Sequence, residues 1–218
     1  MSTKGKAYAN RKSKLLRPKN DLYETPECLV EELINTGILD DCTTILDPCC
    51  GNYAITNVLL SHNKQVDSMD IMYGNDFLKE ENHKYYDAIV MNPPFTLWDN
   101  FLQKAKQINC KKIIMIGKTD YFSCHGRNIK GLWNSLKYIY IFDRKVSYDN
   151  PRSDNKINVG CLTTGWFIWE NNYNGLPKIN IIDIDKYVYR KNDISWQRMW
   201  YKCYTSLIMK SQLMTGYV

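Results

Sequence analysis

Short apolar runs that alternate with stretches of helical spacing limit this chain to one broad kind of fold. Residues 44–46, 66–71, 88–91, 113–116 and 138–142 read as strands, and 53–61, 97–108 and 126–135 between them read as helices or partial helices. Strands alternating with helices return by crossovers, which predicts an α/β fold with a mixed, mainly parallel sheet and flanking helices. Two further strand-like runs, 163–169 and 179–184, follow a polar loop over 149–158 and bring the expected number to seven. Ahead of the first strand, Leu29, Val30, Leu33 and Ile34 have the spacing of one buried helical face. Pro26 stands where that helix can begin, with Thr25 as a candidate N-cap, and Gly37 is placed to end it.

The chain has 218 residues, of which 44% are hydrophobic and 13% aromatic, which excludes a disordered chain and permits one well-buried core. No run approaches the ~20 apolar residues of a spanning helix, and the N-terminus is basic and polar, so a soluble cytoplasmic protein without membrane association is expected. Eight cysteines without a C-x-x-C pair suit reduced thiols. His62, His83 and His125 stand near no paired cysteines, so no metal site is expected.

Charge divides the chain more sharply than its net +6 suggests. Residues 1–20 carry seven basic side chains and no acid, and 186–218 carry six against Asp193, leaving the body with a net charge of −6. The first 20 residues show no apolar repeat and read as a flexible basic arm. The last segment is basic and aromatic, with a helix expected over about 194–209. Such ends are either solvated tails or surfaces that meet a polyanion.

Two segments carry chemistry. Asp47-Pro48-Cys49-Cys50-Gly51 follows a predicted strand and precedes a helix, so an acid and a small-residue turn sit at the carboxyl edge of the sheet, where open α/β sheets bind ligands. Read alone, it is equally a tight strand-to-helix turn. The second, Asn92-Pro93-Pro94-Phe95, ends another strand. Prolines stop the hydrogen-bond ladder and offer carbonyl acceptors beside the Asn92 side chain, with an aromatic face following. Asn92 Oδ1 and the Pro93 carbonyl can each accept a hydrogen from an exocyclic amino group while Phe95 stacks on its ring.

Together these segments resemble the amino-group methyltransferases that use S-adenosylmethionine, in particular the adenine-N6 branch. The order matches their gamma arrangement, with Tyr23-Glu24-Thr25-Pro26 ahead of the acidic loop and the tetrapeptide after it. Gly131-Leu132-Trp133, 142–145 and 165–169 also resemble small phage-encoded DNA adenine methyltransferases, and the likeness spans roughly 21–185. Cys49-Cys50-Gly51-Asn52 departs from the usual aromatic-Cys-Gly-small pattern.

The resemblance implies a Rossmann-like class I methyltransferase fold over 21–185 and transfer of a methyl group to adenine N6 in DNA. It places Asp47, Pro48, Cys49 and Gly51 beside the methionine part of the cofactor, with Tyr23 and Thr25 closing over it. Asp70, with Ile71, is implied at the ribose hydroxyls in preference to Asp67, and Asp76 with Phe77 at the cofactor's adenine. Asn92, Pro93, Pro94 and Phe95 are the implied catalytic set. The bland alternatives are a helix cap for Thr25 and Asp76 and a turn residue for Asp70. Trp133, Trp166 and Trp169 are expected in the core, while His125, Arg127, Lys130, Arg144, Lys145, Arg152 and Lys156 are candidate nucleic-acid contacts. RNA is the alternative polymer, a protein-glutamine substrate fits less well, and a catalytically silent nucleic-acid-binding subunit is the rival from another class. With little room for a recognition domain, a specificity subunit or a homodimer is a further expectation.

Overall fold

Near-continuous apolar runs in the middle strands demand cover on both faces, and the helices between them supply it. The computed structural model describes residues 24–81, 84–148 and 154–190. Its strands are β1 (Thr44–Asp47), β2 (Gln65–Ser68), β3 (Tyr86–Met91), β4 (Cys110–Lys118), β5 (Leu136–Phe142), β6 (Thr164–Glu170) and β7 (Lys178–Ile182). The helices are α1 (Glu27–Asn35), α2 (Ala54–Ser61), α3 (Trp98–Ala105) and the short α4 (His125–Ile129).

All seven expected strands form one sheet in the order β2-β1-β3-β4-β6-β5-β7. Every pairing is parallel except those of β6, which runs antiparallel between β4 and β5. The mixed, mainly parallel Rossmann-like arrangement is therefore present. Alternation along each strand sends Ile45, Ala88, Val90, Ile114, Ile116, Trp166 and Ile168 to one apolar layer with α1 and α2. Leu46, Ile89, Met91, Ile113, Met115, Phe167 and Trp169 go to the other, with α3.

Three local expectations shift, two in helices and one in a strand. Pro26 is the N-cap of α1 and Thr25 makes no capping bond there; a residue before proline is pushed toward extended backbone, so the helix begins at Glu27. Gly37, at φ 74°, closes the turn after α1 as expected. The helix expected over 126–135 is only one turn long, because Gly131 adopts φ 62° and the chain turns there. Lys106 Nζ then donates to the carbonyls of Gly131, Leu132 and Asn134 at 3.3, 3.1 and 3.0 Å, capping that turn from α3's end. The strand expected over 66–71 stops at Ser68, since Asp70 caps a short 3₁₀ turn, Ile71–Tyr73.

The indole N–H groups of Trp98, Trp166 and Trp169 donate to the carbonyls of Ile116, Leu29 and Leu132, and all three rings are buried. Trp133 packs half-buried against the Trp98 and Phe167 rings. No helix among the described residues is long and apolar enough to cross a membrane. The basic arm 1–20, Tyr23, Arg152 and the helix expected near 194–209 lie outside the described residues.

Candidate active site

The chain leaves β1 toward β2 on one side, while β3 lies on its other side, so the connections diverge between β1 and β3. A crevice opens at the carboxyl ends of the strands at such a switch point. Here it is a cavity of about 270 Å³, lined from four directions by the 49–55 turn and α2, by 70–78, by Asn92 and Pro94, and by Thr25.

Gly51 makes the turn possible. Its φ of 50° lies in the left-handed region, where glycine pays no steric penalty. Its N–H donates to Asp70 Oδ2 at 2.9 Å, its carbonyl accepts from the Tyr73 hydroxyl at 3.1 Å, and Cys50 N–H donates to the Met69 carbonyl. Tyr53 also takes a positive φ of 64°, with its ring stacked on Tyr73 at 5.3 Å. The turn is thus tied to the corner after β2.

Asp70 is both the turn residue and a cavity wall. Its Oδ1 accepts from Met72 N–H at 2.9 Å, and each carboxylate oxygen keeps lone-pair capacity for a second donor. Ile71 lies beside it on the cavity wall. Asp67 instead accepts from Lys84 and the Tyr86 hydroxyl and is not among the cavity residues. Asp76 likewise fills two roles, accepting from Leu78 N–H while bordering the cavity. The Lys79 ammonium at 2.9 Å holds its carboxyl below the ordinary range. Phe77 stacks on Phe101 at 5.4 Å and walls the same space.

Asp47 is placed differently from expectation. It is fully buried beneath the turn and is not on the cavity wall. Oδ2 accepts from the Thr56 hydroxyl at 2.8 Å, whereas Oδ1 has no hydrogen-bond partner among the described residues. Burial, reinforced by the Asp70 charge, pushes its carboxyl up to about 7. Pro48 and Pro93 also stand off the wall. Cys49 borders the cavity, and desolvation followed by the charges of Asp47 and Asp70 keeps it a thiol.

Asn92, at the end of β3, faces the cavity, and its Nδ2 donates to the Thr25 hydroxyl at 3.0 Å. Phe95 does not line the cavity. It wedges between the two apolar layers, meets Tyr148 edge-on at 6.1 Å, and carries the Lys118 ammonium 4.6 Å from its ring centroid. Neither Lys118 nor Tyr148 is evident from the sequence as a neighbour of Phe95: Lys118 pairs with Thr164 at the end of β4, and Tyr148 lies beyond β5 with its hydroxyl 2.9 Å from that of Thr164, contacts that no local motif records. Leu97, Phe101 and Ile55 of the cavity wall were likewise hidden among ordinary apolar positions.

Several candidate polymer contacts are engaged within the protein. Arg127 pairs with Asp99 at 2.6 Å, Arg144 with Asp185 at 2.7 Å, and Lys156 donates to the Lys186 carbonyl. Lys130 lies 3.9 Å from Asp99, while His125 and Lys145 are exposed.

Fold and cavity together define a Rossmann-like α/β protein with a ligand cleft at its switch point. No family model and no curated sequence matches the chain. Among solved structures, a protein provisionally named an RNA methyltransferase from Pyrococcus horikoshii aligns at 15% identity and TM-score 0.45, covering 71% of this chain and 90% of its own. A SAM-dependent methyltransferase from Archaeoglobus fulgidus aligns at 13% identity and TM-score 0.43, covering 67% and 95%. A predicted O-methyltransferase from Agrobacterium tumefaciens aligns at 13% and 0.42, covering 77% and 92%.

Proposed function

We propose that the protein transfers a methyl group from S-adenosylmethionine to the N6 amino group of adenine in DNA. The observation that carries this reading is the convergence of Thr25, Gly51, Asp70, Asp76 and Asn92 on one cavity at the switch point. These residues fit the cofactor. Asp70 retains acceptor capacity for two ribose hydroxyls, Asp76 offers an acceptor for the adenine amino group, and Ile71 with Phe77 gives apolar surface for its ring. When bound, S-adenosylmethionine supplies an electrophilic methyl group.

The remaining work falls to the chain. An aromatic amine has a lone pair delocalised into its ring, so acceptors that favour a tetrahedral nitrogen raise its nucleophilicity without a strong base. Asn92 Oδ1, on the cavity wall, takes that role and aims the nitrogen, and the Pro93 carbonyl just behind the wall is the second acceptor that the resemblance implies. Orientation and electrostatic stabilisation of the developing positive charge supply most of the acceleration. A duplex adenine must flip out of the stack, at a cost of a few kcal/mol, to reach them. The basic ends, 1–20 and 186–218, hold the polymer in this reading.

The test is incubation with methyl-labelled S-adenosylmethionine and matched duplex DNA, single-stranded DNA and RNA, followed by nucleoside analysis. N6-methyldeoxyadenosine is expected, and Asn92→Ala is expected to abolish it with cofactor binding retained. Label confined to RNA would move the substrate to that polymer, and no label in any arm would overturn the reading.

A further inference from the structure

Where β4 ends, Lys118 is fixed by its pairing with Thr164 and by the bond from Thr119 N–H to the Thr163 carbonyl at 3.1 Å. β3 and β4 are parallel, so Lys118 leaves the sheet at the same edge as Asn92. Its ammonium lies 4.6 Å from the Phe95 ring centroid and 6.0 Å from that of Tyr121. The Tyr121 hydroxyl donates to the Phe95 carbonyl at 3.4 Å, which ties the segment after Lys118 to the end of the Pro-Pro turn.

The neighbouring cation is handled differently. Arg127 lies 4.0 Å over the Tyr121 ring, but its charge is answered by Asp99. Lys118 meets no carboxylate at salt-bridge distance among the described residues and rests on aromatic carbon. An ammonium held only by ring faces keeps most of its attraction for an anion, and it occupies surface that a planar base would otherwise cover.

We propose that Lys118 is a substrate-binding residue for the polymer backbone, exchanging the Phe95 ring for a phosphate as the target base enters. This rests on the nucleic-acid reading above. A base and an ammonium cannot share one ring face. A phosphodiester flanking the extruded nucleotide offers Lys118 a charged acceptor in return, which couples backbone capture to exposure of Phe95. A neutral small-molecule amine brings no such anion, so the exchange favours a polymer.

The test compares wild type, Lys118→Met and Lys118→Arg on an adenine-containing single-stranded oligodeoxynucleotide, reading kcat and KM across a salt series together with S-adenosylmethionine affinity. Met keeps the length of the stem without the charge. It is expected to raise KM about tenfold, to lower the salt slope by about 0.7, the value for one phosphate contact on a single strand, and to leave cofactor affinity unchanged. Arg is expected to restore both polymer readouts. If wild type is active and the Met variant keeps its KM and salt slope, the proposal for Lys118 is overturned while the methyltransferase reading stands. If wild type modifies no nucleic acid, both fall.

Discussion

The Asn92 side chain donates to the Thr25 hydroxyl at 3.0 Å, joining the end of β3 to the segment just ahead of α1 across 67 positions of sequence. A carboxamide has a donor end and an acceptor end, and commitment of Nδ2 to Thr25 turns Oδ1 the other way. Thr25 is therefore a positioning residue for Asn92. Thr25→Val removes the acceptor while keeping the shape, and kcat is expected to fall about tenfold, in line with the loss of about 1–1.5 kcal/mol for one hydrogen bond. Thr25→Ser should recover most of the loss. Steady-state kinetics, with cofactor affinity measured alongside, separate this from a packing defect, which Ser would not repair.

Asp47 predicts a pH dependence of stability. Its folded carboxyl titrates at about 7 against an ordinary value of 3.8, so the folded state binds the proton more tightly. Stability therefore falls as pH rises from about 4 to about 7 and is flat above that window. Asp47→Asn keeps an acceptor for Thr56 and removes the buried charge. Thermal unfolding across pH should show a flatter profile for the variant, with a gain on the order of 1–3 kcal/mol above neutral pH. An unchanged profile would mean that Asp47 is not the titrating group.

Gly165 lets β5 and β6 approach closely. A Cβ there would lie 2.4 Å from the Tyr140 carbonyl oxygen and 2.9 Å from Ile141 Cα, both backbone atoms with little freedom to yield. Gly165→Ala is expected to destabilise the fold by about 3 kcal/mol or more. Gly126→Ala, where a Cβ would meet nothing within 4 Å, is the matched control and should change little. Denaturant unfolding of the two variants checks both expectations.

Lys106 meets no acid at salt-bridge distance among the described residues. Burial lowers its pKa, and its three carbonyl acceptors belong to the turn that replaces the end of the expected helix. Lys106→Met leaves those carbonyls to water, at a cost of about 1–3 kcal/mol. Hydrogen exchange should show the loosening concentrated at residues 131–136 rather than spread through the sheet.

How far these features were legible depends on whether their cause is local. The apolar runs of the seven strands and the proline stop after Asn92 are written in consecutive residues, so each strand is legible by itself. Insertion of β6 antiparallel between β4 and β5 is not, because pairing order depends on contacts far apart in sequence. The same limit applies to the site. Gly51, Asp70, Asp76 and Asn92 mark strand ends or turns, where residue type is informative. The burial of Asp47 depends on Thr56 of α2 and on the turn above it, and the position of Phe95 depends on Lys118 and Tyr148. No neighbouring residue announces either.

The strand order also implies a timetable. β5 touches β6 and β7 but not β4, so it has no place in the sheet until β6 has been made and inserted. Among the described residues the cavity is lined from Glu24 to Phe101, and β4 completes the four-stranded sheet that supports it. Until β6 emerges during synthesis, the outer edge of β4 and the Leu29 carbonyl that accepts the Trp166 indole N–H are both left without their partners.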